Sequence, residues 1–126
     1  MSGNPRHALG RDAEKRACRW LEAKGLSLVC ANWRGRRGEL DLVMRDGPVL
    51  AVVEVRARTG RTHEDAMFSI GPAKVRRLSA ALREYLFVSG LGDSMPVRFD
   101  IVTVAGDPLQ PSLRWWRDAV RVGRLY

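Results

Sequence analysis

Residues 38–56 read GELDLVMRDGPVLAVVEVR, and this stretch decides the fold. Two apolar runs flank the turn signal Asp46-Gly47, which is typical of a β-hairpin. Acidic residues occur at alternate positions in this stretch, and the second run ends in Glu54 and, two residues later, Arg56. Because successive side chains of a strand point to opposite faces, the hairpin is predicted to have one apolar and one acidic face.

The turn sets the register of the hairpin. If the loop consists of Asp46 and Gly47, or of the four residues 45–48, Glu39 pairs with Glu54. Asp41 then lies diagonal to Glu54, with about 7–8 Å between their Cα atoms. One face then carries Leu40, Leu42, Met44, Val49, Ala51 and Val53. The other face carries Glu39, Asp41, Val43, Leu50, Val52, Glu54 and Arg56.

Three carboxylates thus converge at one end of the predicted sheet. Carboxylates that lie close together repel one another and raise each other's pKa unless a cation is present. Oxygen ligands on a rigid sheet suit Mg²⁺, whose shell substrate phosphates complete. The alternative is a solvated sheet end whose acids are neutralised by Arg56 and nearby arginines.

The charge of the chain favours an acidic partner. The formal net charge is +8 and the sequence pI is about 10.7, and of the 22 basic residues other than histidine only Lys15, Lys24 and Lys74 are lysines. Arginine binds phosphate with a two-pronged guanidinium, so the composition favours nucleic acid. A coding bias toward arginine would produce the same composition.

Length and cysteine usage predict one cytoplasmic domain. The chain has 126 residues, of which 45% are hydrophobic, enough for a real core, and we expect a flexible tail at residues 1–8 before a domain at 9–126. Cys18 and Cys30 lack the spacing of a metal site and the density of a secreted disulfide scaffold. No apolar run approaches the roughly 20 residues of a membrane span, and residues 1–10 lack the apolar core of a signal peptide.

A helix is predicted from Leu9 to Lys24, because apolar residues recur there at three- and four-residue steps. Glu14 borders this apolar stripe, since it lies one turn before Ala17. Its carboxylate could reach the acidic end of the hairpin if the helix packs on the sheet. The alternative is a surface ion pair with a basic neighbour such as Arg11.

Arg34, Arg36 and Arg37 lie in a glycine-containing turn that leads directly into Glu39. Three guanidinium groups on a flexible backbone are predicted to hold phosphates. A solvated surface turn would have the same composition.

The remaining elements predict an α/β fold with helices covering a sheet. The strand at 49–55 is apolar on nearly both faces, which is typical of a central strand. Residues 57–70 read as an irregular loop, and a proline then opens a second helix. Lys74 lies in the first turn of that helix, where its charge is poorly placed for the helix dipole, which indicates another task such as phosphate contact. Strands at 97–104 and 113–120 follow.

The predicted order α-β-β-β-α-β-β resembles the PD-(D/E)XK nuclease superfamily. The resemblance includes Glu14 on the first helix, Asp41 in the second strand and Glu54-Val55-Arg56 at the end of the third. The chain is more closely similar to the YraN-like family of small bacterial proteins over roughly residues 9–120. The matching motifs are Gly10, Ala13-Glu14, Asn32-Trp33-Arg34, the run from Gly38 to Val43, the run from Val53 to Arg58, Lys74, and Arg98-Phe99-Asp100. Ordered agreement across several motifs is more specific than any one motif.

This resemblance implies a restriction-endonuclease-like core with a mixed central sheet flanked by helices. Asp41 and Glu54 would hold Mg²⁺, or Mn²⁺ in its place, with help from the Val55 carbonyl. Glu14 would support the cluster directly or through water, as similar helix glutamates do in archaeal Holliday-junction resolvases. The metal would polarise a phosphodiester and supply the attacking water. The implied catalytic residues are Glu14, Asp41, Glu54 and Arg56, and those for nucleic-acid binding are Arg34, Arg36, Arg37, Arg58 and Lys74.

Arg56 departs from the superfamily pattern, which has lysine at this position. A lysine can shift its pKa and assist deprotonation of water, whereas an arginine stays protonated and can only position and stabilise charge. Three outcomes are open: Arg56 suffices as a stabiliser of charge, Lys74 substitutes from the second helix, or the protein binds nucleic acid without cutting it.

The expected function is therefore a magnesium-dependent, endonuclease-like phosphodiesterase. The expected partner is nucleic acid, DNA rather than RNA, including branched forms, and a symmetric junction would favour a homodimer. The alternative is a nucleic-acid-binding or assembly module on the same scaffold.

Overall fold

The computed structural model of the chain describes residues 5–92, 94–121 and 124–125, with side chains for 10–92 and 94–119. The elements are α1 (Pro5–Glu22), β1 (Ser27–Arg34), β2 (Glu39–Asp46), β3 (Val49–Thr59), α2 (His63–Phe68), α3 (Pro72–Val88), β4 (Val97–Gly106), β5 (Ser112–Arg121) and β6 (Arg124–Leu125). In the described part of the chain, no helix is long and apolar enough to cross a membrane.

The strands form one mixed sheet in the order β1-β2-β3-β4-β5-β6, with five long strands and a two-residue sixth. β3 and β4 are parallel, because α2 and α3 intervene between them, and all other neighbours are antiparallel. β3 lies in the interior of the sheet, as its apolar sequence predicts. The predicted α/β class, a mixed sheet flanked by helices, is confirmed.

The predicted register of the β2-β3 hairpin is wrong by two residues. Asp46 pairs with Val49, and the turn consists of Gly47 and Pro48. Gly47 has a φ of 61°, and a proline after such a residue fits a type II′ turn, which needs glycine at its first central position. An even shift preserves the face of each residue but changes which side chains are opposite one another.

Two apolar clusters lie on opposite faces of the sheet. α1 covers the first face, whose buried members are Ala17, Cys18, Leu21, Leu26, Leu42, Met44, Ala51, Val53 and Val102. α2 and α3 cover the second face, where Val43, Leu50, Val52, Phe99 and Ile101 lie against Met67, Val75 and Leu78. Leu40 also belongs to the second cluster, not the first as predicted, because β2 leaves β3 beyond Leu42.

Several element bounds differ from those predicted. α1 begins at Pro5, so residues 5–8 of the predicted tail are helical, and residues 1–4 lie outside the described part of the chain. β3 continues to Thr59, and the predicted irregular loop contains α2. A capping box starts this short helix: the Thr62 side chain accepts the Asp65 amide, and Asp65 accepts the Thr62 amide in return.

A buried carboxylate ties β4 to its neighbours. The Asp100 side chain is fully buried, and both its oxygens accept hydrogen bonds from Arg98, at 2.8 and 2.9 Å. It also accepts the indole N–H of Trp115 at 3.0 Å and the backbone N–H of Asp118 at 2.8 Å. The same Arg98 reaches Asp46 beside the hairpin turn at 2.9 Å. This network is fully paired, and its residues join β4 to β5 and to the end of β2.

Candidate active site

The acidic cluster lies where β2 and β3 separate. The ladder between these strands runs from Asp46 paired with Val49 to Leu42 paired with Val53 and stops there. The next amide of β3 that would need a partner, that of Val55, donates a hydrogen bond to Asp41 Oδ2 at 2.9 Å. Asp41 is therefore positioned by a backbone group that the end of the ladder leaves free.

Glu54 is the most buried member of the cluster, with 4% of its surface exposed. Its Oε2 lies 3.0 Å from Lys74 Nζ, whereas its Oε1 is buried and has no hydrogen-bond partner among the described residues. Burial, followed by hydrogen-bonding and charge contact with Asp41, raises the pKa of Glu54 well above its usual range, and Lys74 opposes this shift. Two carboxyl groups are thus held against each other and one cation.

Asp41, not Glu39, is the residue that meets Glu54. This outcome follows from the two-residue register shift, which moves Glu39 beyond the paired region. Glu39 lies 3.0 Å from Arg34 in an ion pair whose side chains are 59% and 79% exposed. It reaches the site only through its electrostatic effect on Glu14.

Lys74 comes to the site from the first turn of α3. Its side chain is 31% exposed, so its ammonium group contacts both the buried carboxylate and solvent. Lysine is unfavourable at a helix N-terminus, and the contact with Glu54 provides a physical reason for it there. The sequence indicated an additional task for this residue but did not identify Glu54 as its neighbour.

Arg56 is directed away from the carboxylates toward the end of α2. Its Nε donates to Ser69 Oγ at 3.0 Å and its Nη2 donates to the Ser69 carbonyl at 3.3 Å. Burial, followed by the nearby charge of Arg58, lowers the pKa of Arg56, while Glu54 and Asp41 act in the opposite direction at longer range. Within the described part of the chain Arg56 forms no ion pair with either acid, so the place beside Glu54 belongs to Lys74.

Glu14 reaches the cluster from α1, on the other face of the sheet. Burial raises its pKa to about 7, and the next cause is the negative charge of Asp41. A hydrogen bond with Asn32 lowers the pKa, and Arg11 has only a small lowering effect. Its Oε1 is buried and unpartnered among the described residues. The surface ion pair that the sequence left open for Glu14 is not formed there.

Asn32 is a site residue that sequence reasoning missed. It lies within β1 and has a φ of 55°, in the left-handed region, which asparagine tolerates better than most residues. This conformation accompanies its contact with Glu14. Residues 26–33 have the pattern of a short strand, and an asparagine within them was the available signal, because asparagine is depleted in strands.

The basic turn between β1 and β2 is docked on α3. Glu84 accepts the backbone amides of Arg36 and Arg37, both at 2.9 Å. A Cβ on Gly35 would lie 2.5 Å from Glu84 Oε1, and one on Gly38 would lie 3.3 Å from a carbonyl of α3, so the glycines allow close packing. The side chains of Arg34, Arg36 and Arg37 are exposed, as is that of Arg58 at the end of β3. These arginines lie at the same sheet end as the carboxylates.

The fit of a metal ion to this cluster can be judged from its oxygens. Among the described residues, no group of three or more histidine, cysteine, aspartate or glutamate side chains could hold a metal ion. However, Mg²⁺ commonly uses one or two protein carboxylates and completes its shell with water and phosphate. Two buried oxygens without partners, Glu14 Oε1 and Glu54 Oε1, beside Asp41 match this requirement. The Val55 carbonyl is the nearest backbone candidate in sequence.

Comparison with known proteins identifies the family. A family model described as "Uncharacterised protein family UPF0102" matches residues 13–104. A UPF0102 protein of Chromohalobacter salexigens is 45% identical over 118 residues, which cover 94% of each chain. Similar proteins of Nitrosococcus oceani and Pseudomonas fluorescens are 42% and 40% identical and cover 90% and 94% of this chain, and 91% and 97% of their own. The chain belongs to the UPF0102 family, and the resemblance to YraN-like proteins is confirmed at this level.

Proposed function

We propose that this member of the UPF0102 family is a metal-dependent nuclease of the PD-(D/E)XK type that hydrolyses phosphodiester bonds in nucleic acid. One observation carries the proposal: Glu54, 4% exposed, lies against Asp41 with one oxygen unpartnered in the described part of the chain. Such an arrangement is unfavourable for folding, because a buried polar atom without a partner costs about 1–3 kcal/mol. A bound cation would remove that cost.

The cation that suits these ligands is Mg²⁺, with Mn²⁺ as a substitute. Asp41 and Glu54 would hold it with the Val55 carbonyl, and Glu14 would support it directly or through water. When bound, it supplies Lewis-acid polarisation of a phosphoryl oxygen and activation of a water molecule.

The protein groups have separate tasks in this mechanism. Lys74, 3.0 Å from Glu54 and partly exposed, donates to a phosphate oxygen and stabilises the charge that develops on it. Arg56 is bound by Ser69 and supports the wall of the site instead of contacting the carboxylates. Asn32 orients the Glu14 carboxylate by hydrogen bonding.

The exposed arginines bind the backbone of the substrate. Arg34, Arg36 and Arg37 lie on a turn whose backbone is held by Glu84, so these side chains extend from a fixed base. Arg58 lies at the end of β3, two residues beyond Arg56. A phosphate chain that contacts both groups passes over the acidic cluster. The net charge of +8 supports DNA or RNA as partner, with DNA proposed first.

The test is cleavage of labelled single-stranded, duplex and branched nucleic acids in Mg²⁺ or Mn²⁺. We expect Asp41→Asn and Glu54→Gln each to reduce the rate by at least about 100-fold, because several kcal/mol of transition-state stabilisation depend on the ion. Glu39→Gln is the matched control, since its carboxylate is exposed and paired with Arg34, and it should retain activity. Equal rates for all four proteins would refute the assignment.

A second candidate is a binding module that does not cut. The observation that favours it is Arg56 at the position where the superfamily has lysine, with its guanidinium bound by Ser69. In that case wild type binds the panel without cleavage, and Asp41→Asn leaves the affinity unchanged.

A further inference from the structure

A cleft of about 710 Å³ opens beside the carboxylate cluster. One wall is the first half of α1, the floor is the end of β3, and the far wall is the turn between β4 and β5. Ala13 and Val55 line it, and they precede Glu14 and follow Glu54, respectively. The cleft therefore lies on the α1 face of the sheet, and its lining is next in sequence to two of the carboxylates.

The lining combines positive charge with apolar surface. Arg16, Arg56 and Arg58 contribute three cations, and Asp12 contributes the one carboxylate among the described lining residues. The Asp12 side chain is 71% exposed, and its Oδ2 lies 3.9 Å from Arg16 Nη2. Leu109 is 90% exposed, and it projects from a turn flanked by prolines that also line the cleft. Leu109 thus offers an apolar surface in the same cleft as the arginines.

Size and chemistry select the occupant. A cavity of this volume holds a ligand of drug size, such as one or two unpaired nucleotides. An unpaired nucleotide presents a phosphate for arginine and an apolar base face for Leu109, whereas a duplex hides its base faces by stacking.

We propose that this cleft binds an unpaired nucleic-acid strand beside the scissile bond, so that the substrate class includes a single-stranded segment. The position of the scissile bond in this proposal rests on the proposed nuclease function, whereas the binding of the strand rests on the lining of the cleft alone. The strand's phosphates contact Arg16 and Arg58, and a base packs on Leu109. The adjacent backbone then continues past Asp41 and Glu54.

Binding in EDTA tests the cleft without cleavage. The probes are a fluorescein-labelled 12-nucleotide oligothymidine and a blunt DNA duplex of the same length, measured by anisotropy. We expect Leu109→Asp and Arg16→Ala each to weaken binding of the single strand roughly five- to tenfold, within the range for loss of one base or phosphate contact. Duplex binding should change less than about twofold. Arg83→Ala is the matched control, because it removes an exposed arginine from α3, which packs on the opposite face.

The outcomes separate the two proposals. The cleft assignment is overturned if both cleft variants keep the wild-type affinity for the single strand. It is also overturned if they lose affinity for the duplex equally, or if Arg83→Ala loses as much single-strand affinity as they do. The cleft would then suit a peptide segment better. Cleavage of a tailed duplex in Mg²⁺ that requires Asp41 keeps the nuclease even in that case. Conversely, selective loss of single-strand binding without any cleavage supports the cleft and overturns the nuclease. Thermal melting of each variant within about 2 °C of wild type excludes misfolding, since both side chains are exposed.

Discussion

Replacing Glu54 by glutamine removes one negative charge from a side chain that is 4% exposed and keeps its shape. We expect the metal-free variant to be more stable than wild type at pH 8. Once Glu54 is ionised, the wild type places two acceptors together, whereas the amide nitrogen of glutamine can donate to Asp41 at every pH. The amide oxygen can still accept from Lys74. The variant thus gives a partner to an atom that has none among the described residues.

The magnitude follows from two opposing terms. Satisfying the unpartnered oxygen is worth about 1–3 kcal/mol. Loss of the charge on Glu54 weakens its pair with Lys74, but the Lys74 side chain is 31% exposed, so we assign about 1 kcal/mol to this loss. The net gain is about 1 kcal/mol, or roughly 3–6 °C in Tm for a domain of this size.

The assay is thermal unfolding by circular dichroism in EDTA at pH 8 and at pH 5.5. Because the pKa of Glu54 is raised in the fold, wild type becomes less stable as pH rises through that pKa, and the glutamine variant escapes this loss. The gain should therefore be larger at pH 8. Glu39→Gln, the exposed control, should show no gain.

A fall of Tm at pH 8 would refute this reasoning. Glu54 would then act as the buried partner of Lys74 in a structural ion pair, whose disruption costs about 3–5 kcal/mol. A second readout supports the distinction: Mg²⁺ should raise the Tm of wild type but not that of Glu54→Gln, because a ligand stabilises only a state that binds it.

Three further predictions concern neighbouring groups. In EDTA the wild-type Tm should fall as pH rises from about 4.5 to about 7, because Glu14 has a pKa of about 7 in the fold and keeps its proton over this range. Glu14→Gln should reduce the dependence of Tm on pH. An unchanged dependence in the variant would contradict the raised pKa of Glu14. In the cleavage assay Lys74→Met should lose at least about tenfold in rate, whereas Arg56→Lys should stay within about threefold of wild type; the reverse order would place the essential cation at Arg56. Arg98→Met should lower the free energy of unfolding, measured in urea, by about 3–5 kcal/mol, because the buried carboxylate of Asp100 then keeps only uncharged donors, the Trp115 indole and the Asp118 amide. A loss under about 1 kcal/mol would show that these two donors are enough to stabilise the buried charge.

The sequence by itself determined the α/β class, the interior position of β3 and the presence of an acidic sheet end. These properties depend on local periodicity, which assigns each side chain of a strand to one face whatever the partner strand does. Asp41 and Glu54 share one end of the sheet as predicted, because a register shift of two residues moves them by only one repeat of the strand, although Leu40 lies on the opposite face from the one predicted. The helical pattern of α1 likewise placed Glu14 at the border of its apolar stripe. The catalytic, metal-binding and nucleic-acid-binding roles of these residues stay predictions.

Only the tertiary structure decided which groups meet. The register depends on whether Gly47 is the first or the second residue of the turn, and a glycine preceded by aspartate and followed by proline allows both sequence interpretations. Lys74 reaches Glu54 because α3 packs across β2, and Arg56 turns to Ser69 because α2 ends beside β3. Such contacts join elements that are distant in sequence, so their distances follow from packing, which periodicity does not encode.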